Sequence, residues 1–168
     1  MFKKTYFTAI ALAVSVTLGG LAVANSKPVD QPLQSSMQAY VISTDKAGKD
    51  VAKPATEVEP GQVVEYRLTY KNVSDQALKG IAVTGPIPNA TDYMAETAGT
   101  KAESDFVVSI DGGKTFEAEP VKRIVTDENG KQVEKIIPPS EYSHVRWNLK
   151  QPLSAGETET FVYRSVVN

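Results

Sequence analysis

Cysteine is absent from all 168 residues, and histidine and tryptophan occur once each, as His144 and Trp147. Without thiols there is no disulfide framework, no thiolate metal site and no lipid-modified N-terminal cysteine. A lone histidine excludes a zinc site built from several histidines. Charge of one sign is lacking too: 18 Lys and Arg stand against 20 Asp and Glu, interspersed as in Glu65, Arg67 and Lys71. A protein that binds phosphate backbones needs a basic surface to release counterions, so nucleic acid is not an expected partner. Only one long apolar run is present, at the N-terminus.

That run reads as an export address. Lys3 and Lys4 provide a positive start, residues 9–18 are apolar except for Ser15 and Thr17, and Ala22-Val23-Ala24 is a small-x-small cleavage site. An uncleaved anchor is the alternative, but Gly19-Gly20 interrupts a stretch that would need about twenty continuous apolar residues to span a bilayer. Residues 1–24 are therefore expected to leave as a signal peptide that meets the membrane only in transit. Without Lys3 and Lys4 the balance is 16 basic against 20 acidic residues, a net charge of −4. The mature chain is expected in the periplasm or outside the cell, where ATP and nicotinamide cofactors are scarce, and no cofactor is expected.

Residues 25–36 are rich in Pro, Ser, Gln and Asp, which suits a flexible arm. The remaining residues 37–168 are enough for one domain that buries about two-thirds of its unfolded surface. Within them apolar residues recur at every second position in short runs divided by turn residues, and no stretch sustains a helical period. The clearest strand covers residues 62–71, with Val64, Tyr66, Leu68 and Tyr70 on one face and Glu65, Arg67, Thr69 and Lys71 on the other. Pro60-Gly61 ahead of it suits the centre of a type II turn. Ile81 and Val83 share a face, Phe106, Val108 and Ile110 recur at every second position, and Val145, Trp147 and Leu149 alternate with Arg146 and Asn148. Asn129-Gly130 predicts a primed hairpin turn with positive φ at both residues. A closing strand over residues 157–167 carries apolar groups on both faces, which suits either a central position or packing against something outside the domain.

This pattern predicts an all-β fold: an immunoglobulin-like antiparallel β-sandwich of seven to nine strands, with a closed barrel as the alternative. Prolines 54, 60, 120, 138 and 139 are placed to protect strand edges.

The run from Glu59 through Pro60, Gly61, Val64, Tyr66 and Asn72, followed by Val83, Ile87 and Pro88, resembles the bacterial conserved repeat domain family, also called domain of unknown function eleven. Leu153-Ser-Ala-Gly-Glu resembles that family's late segment, and Gly85 stands where the family usually has Asp. The resemblance extends over most of residues 37–167. It implies an immunoglobulin-like sandwich on exported proteins and brings no catalytic residues with it.

Ser109, Asp111, Gly113, Thr115 and Phe116 match the S-x-D-x-G-x-T-aromatic pattern of an Asp box. In sialidase-like propellers the pattern recurs once per blade, and one copy cannot make a propeller. It is therefore expected to be a structural hairpin whose Asp and Ser side chains bond turn amides, with the aromatic folded into the core. Asp127, Glu128 and Asn129 lack the ligand spacing of a calcium loop and read as a solvated tip. His144 follows Ser143 at a strand start with no nucleophile elbow nearby. Two sequons, at Asn72 and Asn89, lie in predicted loops.

Three functional readings follow. The first is a non-enzymatic structural or interaction module of the cell envelope or surface, whose partner is an unidentified envelope protein or glycan. Its self-associating variant uses the arm as a strand donor. The second is a carbohydrate- or peptide-binding accessory domain, which needs two or more of Tyr93, Tyr142 and Phe116 on one exposed patch. The third is a hydrolase, which needs a pocket bringing His144 or two carboxylates together.

Overall fold

A computed structural model describes residues 31–168. The predicted leader and residues 25–30 of the predicted arm lie outside the described residues.

The strands are β1 (Leu33–Thr44), β2 (Asp50–Pro54), β3 (Val63–Asn72), β4 (Ala82–Pro86), β5 (Thr91–Tyr93), β6 (Gly99–Thr100), β7 (Ser104–Ser109), β8 (Lys122–Thr126), β9 (Gln132–Ile136), β10 (His144–Leu149) and β11 (Thr158–Val167). The fold is all-β with every pairing antiparallel, and among the described residues the only helical element is a 3-10 turn at Pro139–Glu141. Eleven strands exceed the seven to nine expected, since β5 and β6 are only three and two residues long and carry little alternation to read. β1 begins at Leu33, inside the segment expected to be a flexible arm, because its backbone pairs with β3 all the way to Asn72.

One sheet runs β2-β1-β3-β11-β5, with β6 also against β11, and a second runs β4-β10-β7. They face each other across an aromatic core. Trp147 of β10 lies 5.4 Å from Phe161 and 6.3 Å from Tyr163 of β11, and 5.4 Å from Phe106 of β7. Such a two-layer arrangement of antiparallel sheets is consistent with a β-sandwich. As its alternation predicted, β3 turns Val64, Tyr66, Leu68 and Tyr70 into this core, and β11 occupies the predicted central position. β8 and β9 form a hairpin of their own, anchored at its base by the buried Val121 and Ile137.

The turns follow local chemistry. Gly61 has φ 84° and Gln62 N donates to Glu59 O at 3.1 Å, which is the geometry of a type II turn. The β8–β9 turn differs from expectation: of Asn129 and Gly130 only Gly130 has positive φ, at 78°. Asp127 N donates to Lys131 O, and Asp127 Oδ1 accepts from the amides of Asn129 and Lys131. These bonds close a three-residue loop in which one left-handed glycine suffices. The same Asp-x-x-Gly-Lys device joins β1 to β2, where Asp45 Oδ1 accepts from the amides of Ala47 and Lys49 and Gly48 has φ 77°.

Asn72, at the end of β3, is fully buried. Its Nδ2 donates to Gln76 O, Leu153 O and Ser154 O at 2.7, 2.9 and 3.0 Å, and its Oδ1 accepts from the amide and hydroxyl of Ser74. With its amide group filled in this way, the Asn72 sequon is unavailable for glycosylation in the fold.

Candidate functional site

The Asp-box residues gather where β7 turns back on itself. Val108 and Glu117 exchange two backbone hydrogen bonds, at 2.8 and 2.9 Å, and residues 109–116 loop out between them. Asp111 Oδ1 accepts from Ser109 Oγ at 2.8 Å, Lys114 N at 3.0 Å and Thr115 N at 2.9 Å, and Oδ2 accepts from Thr115 Oγ1 at 2.6 Å. Gly113 N donates to Ser109 Oγ at 2.9 Å. The Thr115 hydroxyl first, then the Thr115 amide and the Ser109 hydroxyl, hold the Asp111 carboxyl far below the usual carboxylate range. A carboxylate so fully occupied by its own turn is an organiser of backbone and a poor proton carrier near neutral pH.

Phe116 departs from its expected place in the core. It is half-buried and lies beneath Arg146, whose guanidinium carbon stands 3.5 Å from the ring centroid. Arg146 alternates with the buried Val145 and Trp147 on β10, so the stack lies on the outer face of the second sheet. Arg146 Nε also donates to Thr84 Oγ1 on β4 at 2.8 Å. A flat cation over an aromatic face satisfies both without either entering the core.

His144, at the start of β10, has Nδ1 3.2 Å from Ser143 Oγ. Burial and then the nearby Arg146 charge lower its pKa, partly opposed by Asp111. Ser143, His144 and Asp111 thus meet at one end of the second sheet. The Ser143 hydroxyl is already committed, donating to Ser109 O and accepting from Gly112 N, both at 3.0 Å. This arrangement ties the Asp111 loop to β10.

The expected aromatic surface patch is not formed. Tyr93 and Tyr142 are buried, at 3% and 5% exposure, and stack with centroids 5.9 Å apart. Tyr93 points inward because the alternation of β5 buries it with Thr91. Tyr142 is turned inward by the preceding Pro139–Glu141 turn, which packs on β5. Burial raises the pKa of both phenols.

The most exposed apolar surface lies on the β8–β9 hairpin, which sequence reasoning took only as a hairpin. Ile124 and Ile136 are 64% and 58% exposed. Register places them diagonally on one face, with Lys122 opposite Ile136 and Glu134 opposite Ile124. Lys122 Nζ and Glu134 Oε1 are paired there at 2.9 Å. One isoleucine per strand, sharing its face with polar residues, was the available signal, but period alone does not say which face is covered.

The outer face of the larger sheet carries an ion-pair network. Glu65, with its side chain 9% exposed, receives Arg164 Nε at 2.8 Å and Arg67 Nη2 at 2.7 Å, and Arg164 Nη1 reaches Asp50 at 2.7 Å. Arg67 also lies 4.3 Å over the Tyr40 ring. Among the described residues no helix is long and apolar enough to cross a membrane. No family model, curated protein or solved structure matches the chain.

Proposed function

We propose that the chain is an exported, non-enzymatic contact module of the bacterial envelope, an immunoglobulin-like sandwich of the kind its motifs resemble, whose partner is an envelope protein or glycan. The observation that carries this reading is the β8–β9 hairpin. Among the described residues its strands pair only with each other, and it holds Ile124 and Ile136 in water beside one ion pair. Two large aliphatic side chains held this exposed on a small hairpin favour a role in contact, since covering each would gain on the order of 1.5–3 kcal/mol. The filled Asp111 carboxylate and the committed Ser143 hydroxyl support a structural role for the most chemistry-like motif.

Fractionation of cells that express the full chain tests the proposal. The protein is expected with the envelope, and the double substitution Ile124→Asp, Ile136→Asp is expected to release most of it to the soluble fraction without changing its circular dichroism. Retention of the variant in the envelope, or recovery of the wild type from the cytoplasm, contradicts the proposal.

A further inference from the structure

β1 pairs with β3 along residues 33–42, but with β2 only along residues 40–44. Among the described residues, 33–38 are thus a sheet edge. Ala39 O accepts from Ala55 N on the β2 side, whereas Pro32 O accepts from Val73 N on the β3 side. Alternation then points the backbone N–H and C=O of Leu33, Ser35 and Met37 outward, away from β3. Residues 34–38 are all exposed, Met37 at 37%.

Edges of this kind are normally defended by charge, proline, a bulge or brevity. Residues 33–38, Leu-Gln-Ser-Ser-Met-Gln, contain no charge and no proline. The neighbouring edge strand β2 carries Asp50, Lys53 and Pro54.

We propose that this edge pairs antiparallel with the same edge of a second copy of the chain, about a two-fold axis at Ser35, joining two sheets into one. This names one partner for the contact module proposed above and rests on that reading. In this register Ser35 faces the partner subunit's Ser35, and Leu33 faces the partner subunit's Met37. All three outward amides and all three outward carbonyls of each copy find a partner. A shift of one residue sets outward groups against groups already bonded to β3. Centring on Met37 instead would call on the Ala39 carbonyl, which Ala55 already occupies. Pro32, where the strand must turn aside from the partner's β2, has no N–H to lose. Side chains agree with the register: Leu33, which packs against the core, meets a methionine on the core side, and Gln34 meets a serine on the outer side.

The absence of cysteine makes the register directly readable. Facing residues of a hydrogen-bonded antiparallel pair have Cα atoms about 5.5 Å apart, within disulfide reach. In the full chain purified from expressing cells, Ser35→Cys is expected to give a covalent dimer under mild oxidation, while Ser36→Cys and Thr126→Cys stay monomeric. Sedimentation equilibrium of the wild type is expected to show a monomer–dimer equilibrium. Ser35→Pro, which removes only an outward N–H and leaves the β3 ladder whole, is expected to weaken association at least tenfold, with an unchanged melting temperature at dilutions where the wild type is itself monomeric. A wild type that stays monomeric at every concentration overturns the dimer, as does association indifferent to Ser35→Pro, or oxidation trapping Ser36→Cys as readily as Ser35→Cys. A monomer that captures only an extended segment of another protein along this edge overturns it too. Envelope association is read separately through Ile124 and Ile136, so a monomer that still fractionates with the envelope sinks the dimer alone. A dimer recovered from the cytoplasm sinks the export reading alone.

Discussion

Gly85 on β4 lies so close to the ring of Tyr163 on β11 that a β-carbon there would stand 2.6 Å from Tyr163 Cε1. Tyr163 is fully buried, and its hydroxyl donates to the carbonyl of Pro86, the next residue after Gly85. Glycine at this position is therefore a packing requirement of this particular core. It lets one strand of each sheet approach the other through a single aromatic ring.

Gly85→Ala is expected to destabilise the fold by about 1–3 kcal/mol through overpacking, and Gly85→Asp by more, because the carboxylate would enter the core. Urea denaturation followed by Trp147 fluorescence measures the loss. An alanine variant within about 0.5 kcal/mol of the wild type would show that Tyr163 has room to move.

Asn72→Ala removes the group that joins the end of β3 to the turn before β11. Leu153 O and Ser154 O would keep their backbone donors, Leu78 N and Glu157 N, but lose the side-chain bonds that tie them to β3, and each such hydrogen bond contributes about 0.5–1.5 kcal/mol. A total loss on the order of 3 kcal/mol is expected on that basis, read as a fall in denaturation midpoint at unchanged slope. A loss no greater than that of an exposed control such as Asn129→Ala would contradict the role given to Asn72.

Asp111 should govern part of the acid limb of stability. Its folded pKa is lowered, so its contribution is complete above the unfolded value of 3.8 and is lost as pH falls below that value toward the folded one. Asp111→Asn is expected to lower the melting temperature at neutral pH and to flatten the decline in acid. Parallel acid limbs for variant and wild type would show that the carboxylate's charge does not hold the turn.

Much of the architecture was legible because alternation reports burial directly. Val64, Tyr66, Leu68 and Tyr70 on β3, and Val145 and Trp147 on β10, were read as core and are core. The β1–β2 hairpin was missed although residues 45–49 repeat the Asp-x-x-Gly-Lys spacing of residues 127–131. That device works through one aspartate accepting two amides, a signal that a search for Asn-Gly or Pro-Gly pairs passes over. Tyr93 and Tyr142 were misplaced for a different reason: neither lies in a run long enough to show a period, so only packing could assign their faces.

From the chain alone came the β class, the core faces of the long strands and the glycines needed at turns, because these rest on contacts between residues near one another in sequence. Tertiary structure decided which faces and edges are left uncovered. It set Phe116 under Arg146, buried Tyr93 against Tyr142, opened Ile124 and Ile136 to water, and, among the described residues, left 33–38 unpaired on one side. Those outcomes depend on how far each neighbouring strand extends, and strand length is set by partners distant in sequence.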